Sequence, residues 1–430
     1  MSRKFHLRGA TLILLALCGV GANALAAVPA QPQRPSKVRE LRDEAVAHYK
    51  SRRYFQAVRC LETALEVADD SEKGELKQLL ARTRSALGVE LFNSGEIRRA
   101  GESFRDALEA AEDSYAHFGL GFLHFIKLED DLALEHLKRA FELEPEYQKT
   151  HKLLALIDYR QGRTAQALSK IEKACQLDPK DKEAKALYNR WKVESALTGK
   201  FLEKSRGNFT VRADPALSAQ RYDEAFKKIE RARNEVYEAL QLKGTRKIVF
   251  ILFSPDSFQK ATGTFHWIGG LYDGQVKLPV PSGPDPTPEA VREFDEGLRH
   301  ELAHAAIREI CPECPNWLNE GIAQHFERKG RGEIVSKQLR EGASRRIHFK
   351  DVSTRLWEVD NEDIARWTYL EGLGFVEFIV ARFQEFRLRL LLDSISKEGS
   401  VSKAFELTYG VNLEKAEELW WQEILKSAPR

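Results

Sequence analysis

His300-Glu301-Leu302-Ala303-His304 is the segment that commits this chain to a chemistry and, with it, to an architecture. On a helix, residues four apart project from one face, one above the other. Two imidazoles so placed can ligate one metal ion, and a glutamate beside the first lies within reach of a water at that metal. The flanks predict the helix. Thr287 reads as its N-cap and Pro288 as its first residue. Val291, Phe294, Leu298, Leu302, Ala305 and Ile307 mark a mostly apolar face, and no proline interrupts the run before Pro312. Gly297 is a mild cost inside such a helix and does not stop it. Alone, the motif also fits a chance match on a buried helix, so the residues downstream decide.

A catalytic zinc needs three protein ligands and one open position. After His304 the chain reads Cys311-Pro312-Glu313-Cys314-Pro315 and then Trp317-Leu318-Asn319-Glu320-Gly321-Ile322-Ala323. HExxH followed by WLNEG-x-A resembles the gluzincin metallopeptidases, and the second motif is similar to that of zinc aminopeptidases. The likeness extends to bacterial peptidase MA-like domains attached to tetratricopeptide repeats. Gly269-Gly270-Leu271-Tyr272-Asp273-Gly274, followed by the strand-like stretch Gln275 to Val280, looks like the edge-strand segment of that group. The resemblance covers most of Phe209 to Arg430.

The resemblance implies an α+β zincin-like fold, a small sheet over the HExxH helix followed by a helical C-terminal subdomain. It implies Zn2+ as cofactor, with His300, His304 and Glu320 as its ligands and Glu320 early on a second helix, Trp317 to Arg328. Glu301 is then the general base that accepts the proton of the attacking water and delivers it to the leaving amine. Tyr369, in Trp367-Thr368-Tyr369 at the start of a predicted helix, is the candidate for stabilising the developing oxyanion. The competing reading of Tyr369 is a half-buried aromatic packed beside Trp367 and Phe375. The interval from His304 to Glu320 is shorter than in the aminopeptidases, and the segment by which those enzymes hold a free substrate N-terminus has no counterpart. Gln324 stands where thermolysin-like gluzincins place an aspartate that supports a histidine, so the outer partners of His300 and His304 are unassigned. His325 falls off the ligand face and reads as structural. His266, beside Trp267 in a loop, has no assigned partner.

With 430 residues the chain has room for two or three domains. Its 67 basic and 65 acidic residues leave a formal charge of +2, which gives no electrostatic footprint for nucleic acid. Residues 1–26 read as a signal peptide: Arg3, Lys4 and Arg8, an apolar core from Thr11 to Val20, and Ala24-Leu25-Ala26 for cleavage. The chain is therefore expected to be exported, periplasmic or extracellular. Leu17 occupies the place before Cys18 where lipidation requires a small residue. The leader core is too short to span a bilayer, and no other run of roughly 18 apolar residues occurs, so no transmembrane helix is expected. Cys60 and Cys175 read as core residues. Cys311 and Cys314 form a single C-x-x-C without the second pair a structural zinc needs, so a local disulfide is expected to stiffen the loop before Trp317.

Residues 27–37 carry Pro29, Pro32 and Pro35 and read as a linker. Residues 38–198 are helical and periodic. Ala133 and Ala167, Ala140 and Ala174, and Pro145 and Pro179 recur at the ~34-residue tetratricopeptide period, with Ala100 and Ala107 close to it. Gly88, Gly121 and Ala155 take the small-residue position, and Gly95 and Gly162 the turns, while Ala45, Ala57 and Ala64 mark a more divergent first unit. About four repeats and a capping helix from Asp181 to Leu197, with Ala184, Leu187, Tyr188 and Trp191, make an all-α tetratricopeptide solenoid. Such an array either binds a protein partner in its groove or spaces the domain that follows.

From Phe209 the pattern changes to strand, helix from Leu217 to Leu242, and a strand from Lys247 to Phe253. Pro279, Pro281, Pro284, Pro286 and Pro288 make a loop, and after Glu327 the chain reads as mostly helical. The peptidase-like domain is placed at 207–430. The expectation is an exported zinc-dependent peptidase acting on a peptide or protein substrate. Its rivals are a non-enzymatic repeat scaffold with an inactive zincin-like domain and a hydrolase of something other than protein.

Overall fold

Apolar residues spaced by three and four dominate the chain, and the computed structural model is accordingly mostly helical with one small mixed sheet. It describes residues 36–426 except 216, 218, 245, 264–269, 282–285, 328–331 and 350–361. The expected leader and most of the linker lie outside the described residues, as does His266. No helix among the described residues is long and apolar enough to cross a membrane. Two compact units emerge. One takes the described residues through Asp158 together with Gln166–Tyr188, and the other takes Tyr159–Ala165 and the chain from Asn189 onward.

The first nine helices are α1 (Lys37–Lys50), α2 (Tyr54–Val67), α3 (Asp70–Asn93), α4 (Ile97–Ala110), α5 (Ser114–Ile126), α6 (Asp130–Leu143), α7 (Gln148–Arg160), α8 (Thr164–Leu177) and α9 (Lys182–Thr198). Ser36, Asp69 and Asp113 cap α1, α3 and α5 through their side chains. The small residues let paired helices approach. A Cβ on Gly88 would stand 2.6 Å from the Phe104 ring, and one on Gly121 would stand 2.7 Å from Leu137. Ala100, Ala107, Ala133, Ala140, Ala167 and Ala174 are all buried. The first unit diverges for a simple reason: α3 runs 24 residues where the equivalent helices of the next two pairs, α5 and α7, run 13.

A shared turn marks all four helix pairs. The chain passes through a left-handed residue at Arg52 (φ 57°), Gly95 (φ 85°), Leu128 (φ 62°) and Gly162 (φ 81°). Only the two glycines betray this in the sequence, because an L-residue with a side chain adopts that conformation at a cost.

The second unit continues with β1 (Leu202–Arg206), β2 (Phe209–Ala213), α10 (Ala219–Ala239), β3 (Ile248–Phe253), α11 (Pro255–Thr262), β4 (Leu271–Tyr272) and β5 (Val276–Pro279). Then come α12 (Pro288–Ile310), α13 (Asn316–Glu327), α14 (Gly332–Glu341), α15 (Glu362–Phe383), α16 (Arg387–Glu398), α17 (Val401–Tyr409) and α18 (Leu413–Lys426). The strands lie in the order β1-β2-β3-β5-β4. β2, β3 and β5 run parallel, and β1 and β4 close the edges antiparallel. All six residues of β3 are buried, as befits a central parallel strand covered on both faces. On one face Phe250, Leu252, Val276 and Leu278 share a core with Leu298 and Leu302 of α12. On the other, Val249, Ile251, Phe253 and Leu271 pack with Phe258, Leu197 and Phe201.

Three expectations are corrected. β1 had no counterpart in the sequence reading, because its residues LEKSR are all exposed and carry no alternation. The strand expected at the sheet edge, β5, lies inside, and the outer strand is β4. Gly274 at φ 109° turns the chain tightly enough to fold Leu271 and Tyr272 back beside Lys277 and Val276. Cys311 and Cys314 are free thiols rather than a disulfide. Their turn is closed instead by the backbone, with the Cys314 N–H donating to the Cys311 carbonyl at 3.1 Å.

The exposed Arg52 at its left-handed turn yields a first test. Arg52→Gly should raise the stability of the repeat unit by about 0.5–1 kcal/mol in denaturant unfolding. A loss of stability would mean that the turn is not held in this conformation.

Candidate metal centre

The α12 helix starts where its sequence says. Thr287 Oγ1 accepts the Ala290 N–H at 3.2 Å, and Pro288 is the first helical residue. Leu298 and Leu302 commit one face to the core. His300 and His304 then emerge together on an adjoining side, and α13 brings Glu320 opposite them. The two Nε2 atoms stand 3.0 Å apart. Glu320 Oε2 lies 3.7 Å from His300 Nε2, and its Oε1 lies 3.7 Å from His304 Nε2. All three ligands expected from the sequence thus have donor atoms within 4.8 Å of one another.

Each imidazole is held from behind. His300 Nδ1 donates to Glu327 Oε2 at 2.9 Å, and His304 Nδ1 donates to Asn319 Oδ1 at 3.1 Å. Arg299 fixes the end of α13 by donating to the Phe326 and Glu327 carbonyls at 3.0 and 3.3 Å. These are the outer partners that sequence reasoning missed. Glu327 was legible in principle, since it stands two helical turns past Glu320 on the same face. Gln324 serves elsewhere: its Nε2 donates to the Tyr369 carbonyl at 3.3 Å.

The donor set fits a metal. A neutral imidazole whose Nδ1 donates to a fixed acceptor presents a bare lone pair at Nε2. Two such lone pairs and a carboxylate converge, with no hydrogen among them to share, and this favours a cation. A proton is one such cation. Burial lowers the pKa of His300, but the Glu327 hydrogen bond and the charges of Glu301, Glu320 and Glu327 outweigh it and raise it to about 9. His304 is pushed down, foremost by burial. Two imidazole nitrogens and one carboxylate leave a fourth tetrahedral position, the pattern of a catalytic zinc. Among the described residues a second trio, Glu44, His48 and Cys60, also falls within 4.8 Å. There the other imidazole nitrogen, His48 Nδ1, is buried with no hydrogen-bond partner, so nothing orients the ring for ligation.

Glu301 sits under β4. Its carboxylate accepts the Tyr272 backbone N–H, and it is 6% exposed. Gly270 passes so close that a Cβ there would lie 2.6 Å from Glu301 Cγ and 2.9 Å from its Oε1. Burial raises the Glu301 pKa to about 7, with the positive His300 opposing and Glu320 adding.

Tyr369 reaches the same place through two glycines. A Cβ on Gly321 would stand 2.5 Å from the Gly372 carbonyl oxygen, so α13 and α15 meet backbone to backbone. This contact sets Tyr369, one turn before Gly372, toward Glu320. Burial, and then the charge of Glu320, hold its hydroxyl above its usual pKa, so it remains an O–H donor. Tyr369 is half-buried, as its competing reading as a packing aromatic also expects. Trp367 Nε1 donates to Glu371 Oε1 at 2.8 Å, and Phe375 lies among Trp317, Phe349 and Trp420. His325 stands away from the ligands, clamped between Glu377 (2.6 Å) and Glu385 (2.9 Å).

No protein-family model and no curated protein matches the chain. Among solved structures it is similar to one described as MamA AMB-1, at 22% identity over 37% of this chain and 82% of that one. The TM-score of that alignment is 0.27, so the likeness carries no argument about fold or activity.

Two measurements check this geometry. Glu327→Gln leaves an amide that accepts less strongly from His300, and zinc affinity by chelator competition should fall roughly 10- to 100-fold. An unchanged affinity would remove Glu327 from the site. For His325, burial works against its charge, but Glu377 and Glu385 outweigh it and raise its pKa. Its contribution to stability is therefore complete below the unfolded value of about 6.5 and is lost as pH rises through the higher folded value. Unfolding free energy measured across that window should drop in the parent chain and stay flatter in His325→Gln.

Proposed function

We propose that this chain is an exported, zinc-dependent peptidase of gluzincin type, with a tetratricopeptide unit that binds a protein or peptide partner. The observation that carries the reading is the convergence of the His300 and His304 Nε2 lone pairs with Glu320, each imidazole tied off behind. Zinc when bound would supply Lewis acidity to the scissile carbonyl and to the attacking water.

The chain's own residues do the rest. His300, His304 and Glu320 would hold the ion. Glu301, buried and with its pKa near neutrality, accepts a proton from the water and delivers it to the leaving amine. The Tyr272 N–H holds one side of that carboxylate, which fixes its orientation. Tyr369, kept protonated, donates a hydrogen bond to the oxyanion as charge develops. Support for partner binding comes from the left-handed turn common to the four helix pairs, the pattern of a repeat array.

Metal analysis joined to a peptide-library cleavage assay tests the proposal. Alanine at His300, His304 or Glu320 should abolish zinc binding, whereas Glu301→Gln should keep zinc and lose turnover. Tyr369→Phe should lower kcat roughly 10- to 1000-fold without changing the melting temperature. Stoichiometric zinc with no cleavage of any peptide would favour the scaffold or a non-peptide hydrolase instead.

A further inference from the structure

On the opposite face of the sheet from α12, the β4–β5 hairpin is pinned by a buried ionic network with no part in the metal centre. Lys277 Nζ donates to Glu194 Oε2 at 2.7 Å, to Asp273 Oδ2 at 2.8 Å, and to the Tyr159 hydroxyl. The Tyr159 hydroxyl in turn bonds Glu194 at 2.8 Å and Asp273 at 3.1 Å. Arg190 adds a second cation 3.3 Å from Asp273. The Lys277 and Glu194 side chains are 0% exposed. The Tyr159 ring stacks on Trp191 at 4.3 Å, and its carbonyl accepts from Gln275 Nε2. Tyr159, Arg190 and Glu194 belong to the same compact unit as the sheet.

One buried cation, Lys277, between two buried anions, with the partly exposed Arg190 beside them, is a poor way to gain stability, since desolvation offsets most of the attraction. What such a cluster can do is fix geometry, because a buried charge left without its partners is costly. Here the geometry belongs to the hairpin. In register, Leu271 pairs with Lys277, and Tyr272 pairs with Val276. Strand alternation puts Lys277 on the far face and Tyr272 on the α12 face. One short hairpin thus has the ionic network behind it and Glu301 in front, seated by the Tyr272 N–H and by Gly270.

We propose that Lys277, Asp273, Glu194 and Tyr159 are positioning residues, which set the height of the β4–β5 hairpin over Glu301 and so its aim at the reacting water. The proposal rests on Glu301 serving as general base. A misplacement of about 1 Å at a reacting group costs on the order of a hundredfold in rate, so a loosened hairpin should be visible in turnover.

The test uses Tyr159→Phe, which keeps the stacked ring and removes the hydroxyl, and Asp273→Asn, which leaves Lys277 paired with Glu194. Tyr409→Phe, a buried tyrosine of the same unit away from the hairpin, is the control. Hydrogen exchange on the metal-free full chain should speed up over 270–278 at least about tenfold in both variants, and not in the control. Zinc should stay stoichiometric, and kcat should fall about tenfold or more with KM within about twofold. The idea fails if exchange over 270–278 is unchanged in both variants. It also fails if exchange rises evenly across the unit, or if the hairpin loosens while kcat holds. A parent chain that binds zinc but cleaves nothing would sink the peptidase reading, while the exchange data would still decide whether the network holds the hairpin.

Discussion

Two imidazole lone pairs aimed at one point repel unless something positive lies between them, and the second unit is arranged to keep them aimed there. Glu327 and Asn319 each accept a hydrogen bond from one Nδ1–H, so neither ring can turn that N–H inward without losing a part-buried hydrogen bond. Arg299 holds the end of α13, and with it Glu327. The core beneath α12 fixes the height of the pair, and α13 brings the carboxylate opposite. Remove that constraint and what remains is a buried helix with two histidines.

The same economy of backbone recurs around it. Glycine at 270 lets β4 settle onto Glu301, and the Gly321–Gly372 contact lets α15 deliver Tyr369. Each of these approaches is closer than any side chain permits. The reacting groups of the proposed mechanism therefore come from three directions, α12, α13 and α15, under a two-residue strand. In the first unit, glycines and alanines of the helix pairs allow close stacking in the same way.

Much of this was legible from sequence, for local reasons. The Thr287-Pro288 start of α12 and the Asp181 start of α9 are side-chain caps, readable because they depend on residues a few positions away. The HExxH spacing put His300 and His304 on one side of α12 because helical geometry alone turns spacing into direction, whereas Glu320 was singled out by the resemblance of WLNEG to the gluzincin motif. Lys277 was not legible. In the run Val276-Lys277-Leu278 it reads as the solvent side of an alternating strand, and alternation cannot say whether the far face is covered. β1 was invisible because an exposed edge strand needs no apolar pattern. The pairing of His325 with Glu377 and Glu385, and of Gly321 with Gly372, joins residues roughly 50 or more positions apart, which no local rule connects.

The most direct test of the account is X-ray absorption at the zinc edge on the protein loaded with one equivalent of zinc. The account predicts a first shell of two imidazole nitrogens at about 2.0–2.1 Å with oxygen completing it, and multiple scattering from two histidine rings. Sulfur at about 2.3 Å would place the ion on Cys311 and Cys314 and contradict it, as would a shell containing a single imidazole.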